Sequence, residues 1–142
     1  MIESEENEEV AYNKAREILA KYPDIRAFQG SAGTDVVGIA RAVEEAGKSD
    51  SVCVMGTSIP SVGGSYLATG AIDKIFFWDP ALAGKAQLAI AKILADGGTI
   101  EEGTDLGIPG YESLVKLPGA DNAFAGNAGV AVDLSNVDQY DF

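Results

Sequence analysis

Stretches in which apolar residues recur every three or four positions alternate along this chain with short apolar runs bounded by small and polar residues. Ala11, Ala15, Ile18, Leu19 and Tyr22 keep helical spacing behind Asn7, an N-cap type, and Glu8 and Glu9 suit the positive end of that helix. Pro23 stops it, and Ile25–Gln29 reads as a short strand emptying into the small-residue turn Gly30-Ser31-Ala32-Gly33-Thr34-Asp35. Val36, Ile39, Ala40 and Val43 mark a second helix, ended by Gly47. The unbroken run Val52–Met55 predicts a strand covered on both faces, with a loop at Gly56–Pro60 and a short helix over Ser61–Thr69. Ile72–Trp78 predicts the next strand. Asp79-Pro80 opens a long helix with Leu82, Ala86, Ala89, Ile90 and Ile93 as its stripe, and Gly97-Gly98 ends it.

Strands alternating with helices imply right-handed βαβ crossovers, hence an α/β fold with a parallel sheet and helices on both faces. After Gly98 glycine, proline and short extended pieces such as Leu114–Leu117 and Gly129–Val132 take over. The expected organisation is a single lobe over residues 1–142, with a βα-alternating body over about 1–98 and an irregular tail of short strands over 99–142.

Composition narrows the function classes. The net charge is −12 with no lysine or arginine run, which disfavours nucleic acid and anionic membrane surfaces. No apolar run approaches the ~20 residues needed to span a bilayer. The acidic start, Met1-Ile2-Glu3-Ser4-Glu5-Glu6, lacks a signal-peptide pattern, leaving a cytosolic chain or a removed leader as readings. Histidine is absent, which removes the usual general base, the Ser-His and Cys-His couples and the commonest metal ligand. No catalytic residue, metal or cofactor is therefore expected. The lone Cys53 sits in an apolar run and reads as an inert buried thiol.

In an open parallel sheet, ligands sit outside the carboxyl ends of the strands. The three strand-end loops are thus the candidate chemistry. Gly30–Asp35 fits neither dinucleotide nor phosphate-loop spacing; it reads as a turn whose Thr34 or Asp35 caps the next helix, or as a cap that also touches a hydroxylated ligand. Ser58 offers a hydroxyl or is plain loop polarity. Trp78 offers a flat apolar face for sugar C–H groups beside the acceptor Asp79; the plainer reading is a core Trp with Asp79 as N-cap.

The run Ile18-Leu19-Ala20-Lys21-Tyr22-Pro23-Asp24-Ile25-Arg26-Ala27-Phe28 resembles the helix, YPD, strand signature of periplasmic sugar-binding proteins of the ribose-binding type. Val54–Pro60, Phe77-Trp78-Asp79-Pro80, Ile108-Pro109-Gly110 and Asn136–Phe142 are similar to the branch holding rhamnose-binding proteins and the furanosyl autoinducer receptor of ABC importers. The resemblance implies the carboxy-terminal lobe of a type I binding protein, the amino-terminal lobe being absent. It implies a small polar ligand (sugar or furanosyl signal) held between lobes, an ABC permease as partner of the full-length protein, and a periplasmic or extracellular location. Residue by residue it assigns ligand contact to Ser31, Gly33, Ser58, Trp78 and Asp79. Ser58 departs from the pattern, because ribose-type members carry an aspartate there.

Two other classes remain on the sequence. An effector-binding domain of a LacI-type regulator shares this lobe but needs a helix-turn-helix upstream. A flavodoxin-like enzyme or receiver needs a nucleophile–base couple or an Asp–Lys pair that no strand end supplies. An isolated lobe would also carry an exposed hinge helix and an unpaired sheet edge, both favouring self-association.

Overall fold

A computed structural model describes residues 2–142. The chain forms two compact bodies, one running through Phe77 and resuming at Ala131–Phe142, the other Trp78–Val130. The division falls within the expected single lobe, and places the helix after Pro80 with the segment that follows it.

In the first body, α1 (Glu8–Lys21) begins where Asn7 accepts from the Val10 amide, with Glu8 and Glu9 in its first turn. Strand β1 (Ala27–Gly30) leads to α2 (Asp35–Glu45), β2 (Cys53–Thr57) to α3 (Pro60–Thr69), and β3 (Lys74–Trp78) follows. Gly70, at φ 76°, ends α3 in the left-handed region. β1 pairs parallel with β2, Ala27 opposite Cys53, and β2 with β3, Gly56 opposite Ile75. A four-stranded sheet in the order β1-β2-β3-β6 is completed by β6 (Gly129–Val132).

The parallel α/β architecture is as expected. Steps β1 to β2 to β3 all go the same way, so right-handed crossovers put α2 and α3 on one face. Alternation along the strands records this. Val54, Gly56, Ile75 and Phe77 are buried beneath the helices, whereas Ala27, Gln29 and Phe76 on the opposite face are exposed and Cys53, Met55 and Thr57 half-buried. The run Val52–Met55 thus alternates, rather than being covered on both sides, and α1 packs on α2. The core is Val36, Val43, Val54, Leu67, Ile72, Ile75 and Val132, each under 2% exposed. At roughly 1.5–3 kcal/mol for each large apolar side chain buried, this set is the main stabilising term of the body.

The returning segment is fastened to β3 and α3. The Phe77 ring meets Tyr140 and Phe142 edge to face at 5.3 and 5.4 Å. Lys74 pairs with Asp133 at 3.1 Å, and the Ser61 amide donates to the Phe142 carbonyl at 2.9 Å.

The second body holds α4 (Pro80–Ala95) and a two-stranded antiparallel sheet of β4 (Val115–Lys116) and β5 (Phe124–Ala125). Of the expected α4 stripe, Ala86 is fully buried; Leu82, Ala89, Ile90 and Ile93 are half-buried.

Candidate functional site

Because β1, β2 and β3 run parallel, their carboxyl ends share an edge, and the turn after β1 lies at that edge. Its shape comes from Asp35. The carboxylate reaches back to accept from the Ser31 amide at 3.2 Å and the Ala32 amide at 2.9 Å, and also accepts from the Ser4 hydroxyl. Thr34 occupies the N-cap position of α2 without a side-chain cap bond, and its hydroxyl oxygen is buried without a partner among the described residues. Of the two expected caps, Asp35 is therefore the one that organises the turn. The contribution of Ser4 was not read from sequence, since nothing in its local pattern ties it to a residue 31 positions away.

Ser31 and Gly33 are exposed. In front of the turn lies an open hollow of about 450 Å³ lined by Gln29, Ser31, Ala32, Asp35 and residues 2–6. An amide side chain, a hydroxyl and carboxylates converge there. They offer both donors and acceptors, and no permanent positive charge.

Ser58 lies elsewhere in the same body and is only 2% exposed. Its amide donates to the Phe76 carbonyl at 3.1 Å, and its hydroxyl donates to the Gly33 carbonyl at 3.2 Å. The structure thus joins Ser58 to Gly33 across two strand-end loops. Gly56, just before it, explains the close approach: a Cβ there would lie 2.0 Å from the Gly30 carbonyl oxygen.

Trp78 and Asp79 belong to the second body. Trp78 is 56% exposed, so it is not a core tryptophan. Asp79 is the N-cap of α4, its Oδ1 accepting from the amides of Ala81 at 2.7 Å and Leu82 at 3.2 Å. Pro80 at the first helical position, which lacks an amide hydrogen, fits that cap. Among the described residues Oδ2 has no hydrogen-bond partner.

Cys53 is a free thiol, half-buried rather than fully buried. Burial first, then the hydrogen bond and charge of Asp73, push it above the usual thiol range, so it stays protonated at neutral pH. Among the described residues no group of histidine, cysteine, aspartate and glutamate has the arrangement of a metal site, and no helix is long and apolar enough to cross a membrane.

Comparison with known proteins places this geometry. A family profile described as "Periplasmic binding protein domain" matches residues 1–99. A sugar ABC transporter structure from Actinomyces odontolyticus superposes with a TM-score of 0.73 at 21% identity, covering 99% of this chain and 45% of that one. LsrB from Clostridium saccharobutylicum in complex with AI-2 gives 0.71 at 22%, covering 98% and 47%. An ABC transporter solute-binding protein from Clostridium phytofermentas with bound L-rhamnose gives 0.72 at 17%, covering 96% and 46%. At these identities the structures establish the fold, and the chain spans less than half the length of each. The profile covers more than two thirds of the sequence, and on that match the chain belongs to the periplasmic binding protein domain family.

Proposed function

We propose that this chain is the carboxy-terminal lobe of the substrate-binding component of a bacterial ABC importer for a sugar or sugar-like signal, and that it performs no catalysis. The observation that carries the reading is the hollow at the carboxyl end of β1, where Ser31, Gln29 and Asp35 present paired donors and acceptors beside an exposed Gly33. Such convergent polarity, with carboxylate acceptors beside amide and hydroxyl donors, suits a polyol, whose hydroxyls both donate and accept. Ser31 and Gly33 are the proposed ligand contacts of the first body, with Ser58 behind them. In the second body, taken by itself, the Trp78 indole is a proposed stacking face and Asp79 Oδ2 a proposed hydroxyl acceptor.

The full-length partners follow from the same reading: an amino-terminal lobe that closes over the ligand, an ABC permease, and a periplasmic or extracellular setting. Rhamnose and furanosyl signals such as AI-2 are the first ligands to test, because structures of this fold carry them. Half an enclosing surface holds a sugar weakly, so roughly millimolar dissociation is expected of this chain alone. Titration of the isotope-labelled chain with L-rhamnose, D-arabinose and AI-2, followed by amide chemical shifts, tests this. Shifts confined to Ser31–Asp35 and to Trp78–Asp79 are expected. Saturable shifts elsewhere, or none at about 100 mM sugar, defeat the reading.

A further inference from the structure

We infer that Ser58 is a positioning residue for the β1–α2 turn, acting on ligand only through Gly33. A hydroxyl that grips a ligand must face the space the ligand enters. Ser58 faces inward instead, at 2% exposure, and its one proton goes to the Gly33 carbonyl at 3.2 Å. It sits in the packed layer beneath the rim: a Cβ on Gly63 would lie 3.4 Å from its Oγ and 3.5 Å from Ile72 and Ile75. The Gly33 side of that bond is the opposite case. Gly33 is exposed, and a Cβ placed on it would meet nothing within 4 Å, so the residue faces open space on that side. Its position is set from one side by Ser58 and from the other by Asp35, whose carboxylate holds the Ser31 and Ala32 amides.

Those two clamps come from different elements, so neither alone determines the turn. With both in place the Ser31 hydroxyl is delivered to the hollow without ordering the loop anew when ligand arrives, which is how pre-organisation raises affinity. The inference rests on the ligand reading above only in what the turn is positioned for. The clamp itself involves residues of the chain alone.

The experiment uses Ser58→Ala, with Ser58→Cys as a variant that keeps the shape and weakens the donor. Amide hydrogen exchange is followed at Ser31, Ala32 and Asp35, and at Ile75 in the core. Ser58→Ala is expected to speed exchange at the three turn amides by about 3- to 10-fold, and Ile75 by less than 2-fold. Ser58→Cys should fall between. L-rhamnose binding to Ser58→Ala should weaken by a similar factor, while Ser31→Ala weakens it without altering exchange. Uniform acceleration at all four amides makes Ser58 an ordinary core residue and overturns the inference, as does no change at the turn. If the turn loosens as expected but the parent chain shows no rhamnose shifts, the positioning role stands and the ligand reading fails.

Discussion

At Gly38 the missing side chain sets the distance between two helices. A Cβ there would lie 2.3 Å from the Glu8 carbonyl oxygen and 2.9 Å from the Tyr12 nitrogen, both backbone atoms of α1 that cannot swing aside. Around this contact Arg41 stacks its guanidinium 3.7 Å from the centre of the Tyr12 ring and reaches Glu9 at 2.6 Å, while the Tyr12 hydroxyl donates to Glu45. The polar set orients the pair at the surface, where such contacts add little, and the close backbone approach sets the packing. Gly38→Ala is expected to lose about 1–3 kcal/mol of stability despite alanine's better helix propensity, because α1 must be displaced. Urea unfolding measures it, and an unchanged or raised midpoint would show that the helices separate at no cost. Ser58 teaches the same lesson in the site. Its residue type is visible in sequence, but its hydrogen bond needs Gly33, 25 positions earlier, to arrive at the same place.

Elements with a chemical start and stop were the legible ones. Asn7 with Glu8 and Glu9 fixed the start of α1, Pro23 its end, and Asp79-Pro80 the start of α4, each within a residue or two of the observed bounds. Strands β1 and β2 are shifted by one or two residues towards their carboxyl ends, while β3 begins two residues later than expected and ends at Trp78 as expected. β5 escaped notice because two residues, Phe124 and Ala125, carry no alternation to detect. The one-sided sheet was also hidden, since the half-buried row Cys53, Met55 and Thr57 is nearly as apolar as a covered one. The returning segment was legible as an irregular tail carrying the extended piece Gly129–Val132, which is β6, while the contacts that hold it were not. Asp133 accepts from the Ser135 hydroxyl and amide and pairs with Lys74; these bonds, the Ser135 hydroxyl foremost, lower its carboxyl to about 2. A depressed carboxylate stabilises the fold above its unfolded value near 3.8, and that contribution disappears as pH falls through about 2. Thermal unfolding from pH 5 to pH 2 should therefore show a smaller acid-induced drop for Asp133→Asn than for the parent chain, with the variant the less stable of the two above pH 4. Equal acid slopes would mean the carboxylate titrates normally.

At the scale of the molecule, opposing forces decide whether the chain stays single. The Trp78–Val130 body has just two fully buried apolar side chains, Ala86 and Leu114, while Trp78, Leu88, Leu94 and Val115 are each more than half exposed. In the first body, the Cys53 amide bonds the Arg26 carbonyl, so the parallel ladder turns the backbone groups of Ala27 and Gln29 outward from β1, an edge with no ladder partner among the described residues, beside the exposed sheet face. Such surfaces favour association. Against them stands a net charge of −12, which repels a second copy over about 10 Å at 0.1 M salt and only about 3 Å at 1 M. Association should thus be held back at low ionic strength and released by salt, the reverse of a complex built on ion pairs. Size-exclusion chromatography with light scattering, from micromolar to near-millimolar chain, is expected to show a mass that rises with concentration and rises further in 1 M sodium chloride. A single mass of 14.7 kDa across that whole range would mean that neither the bare edge nor the under-packed second body has an affinity for itself.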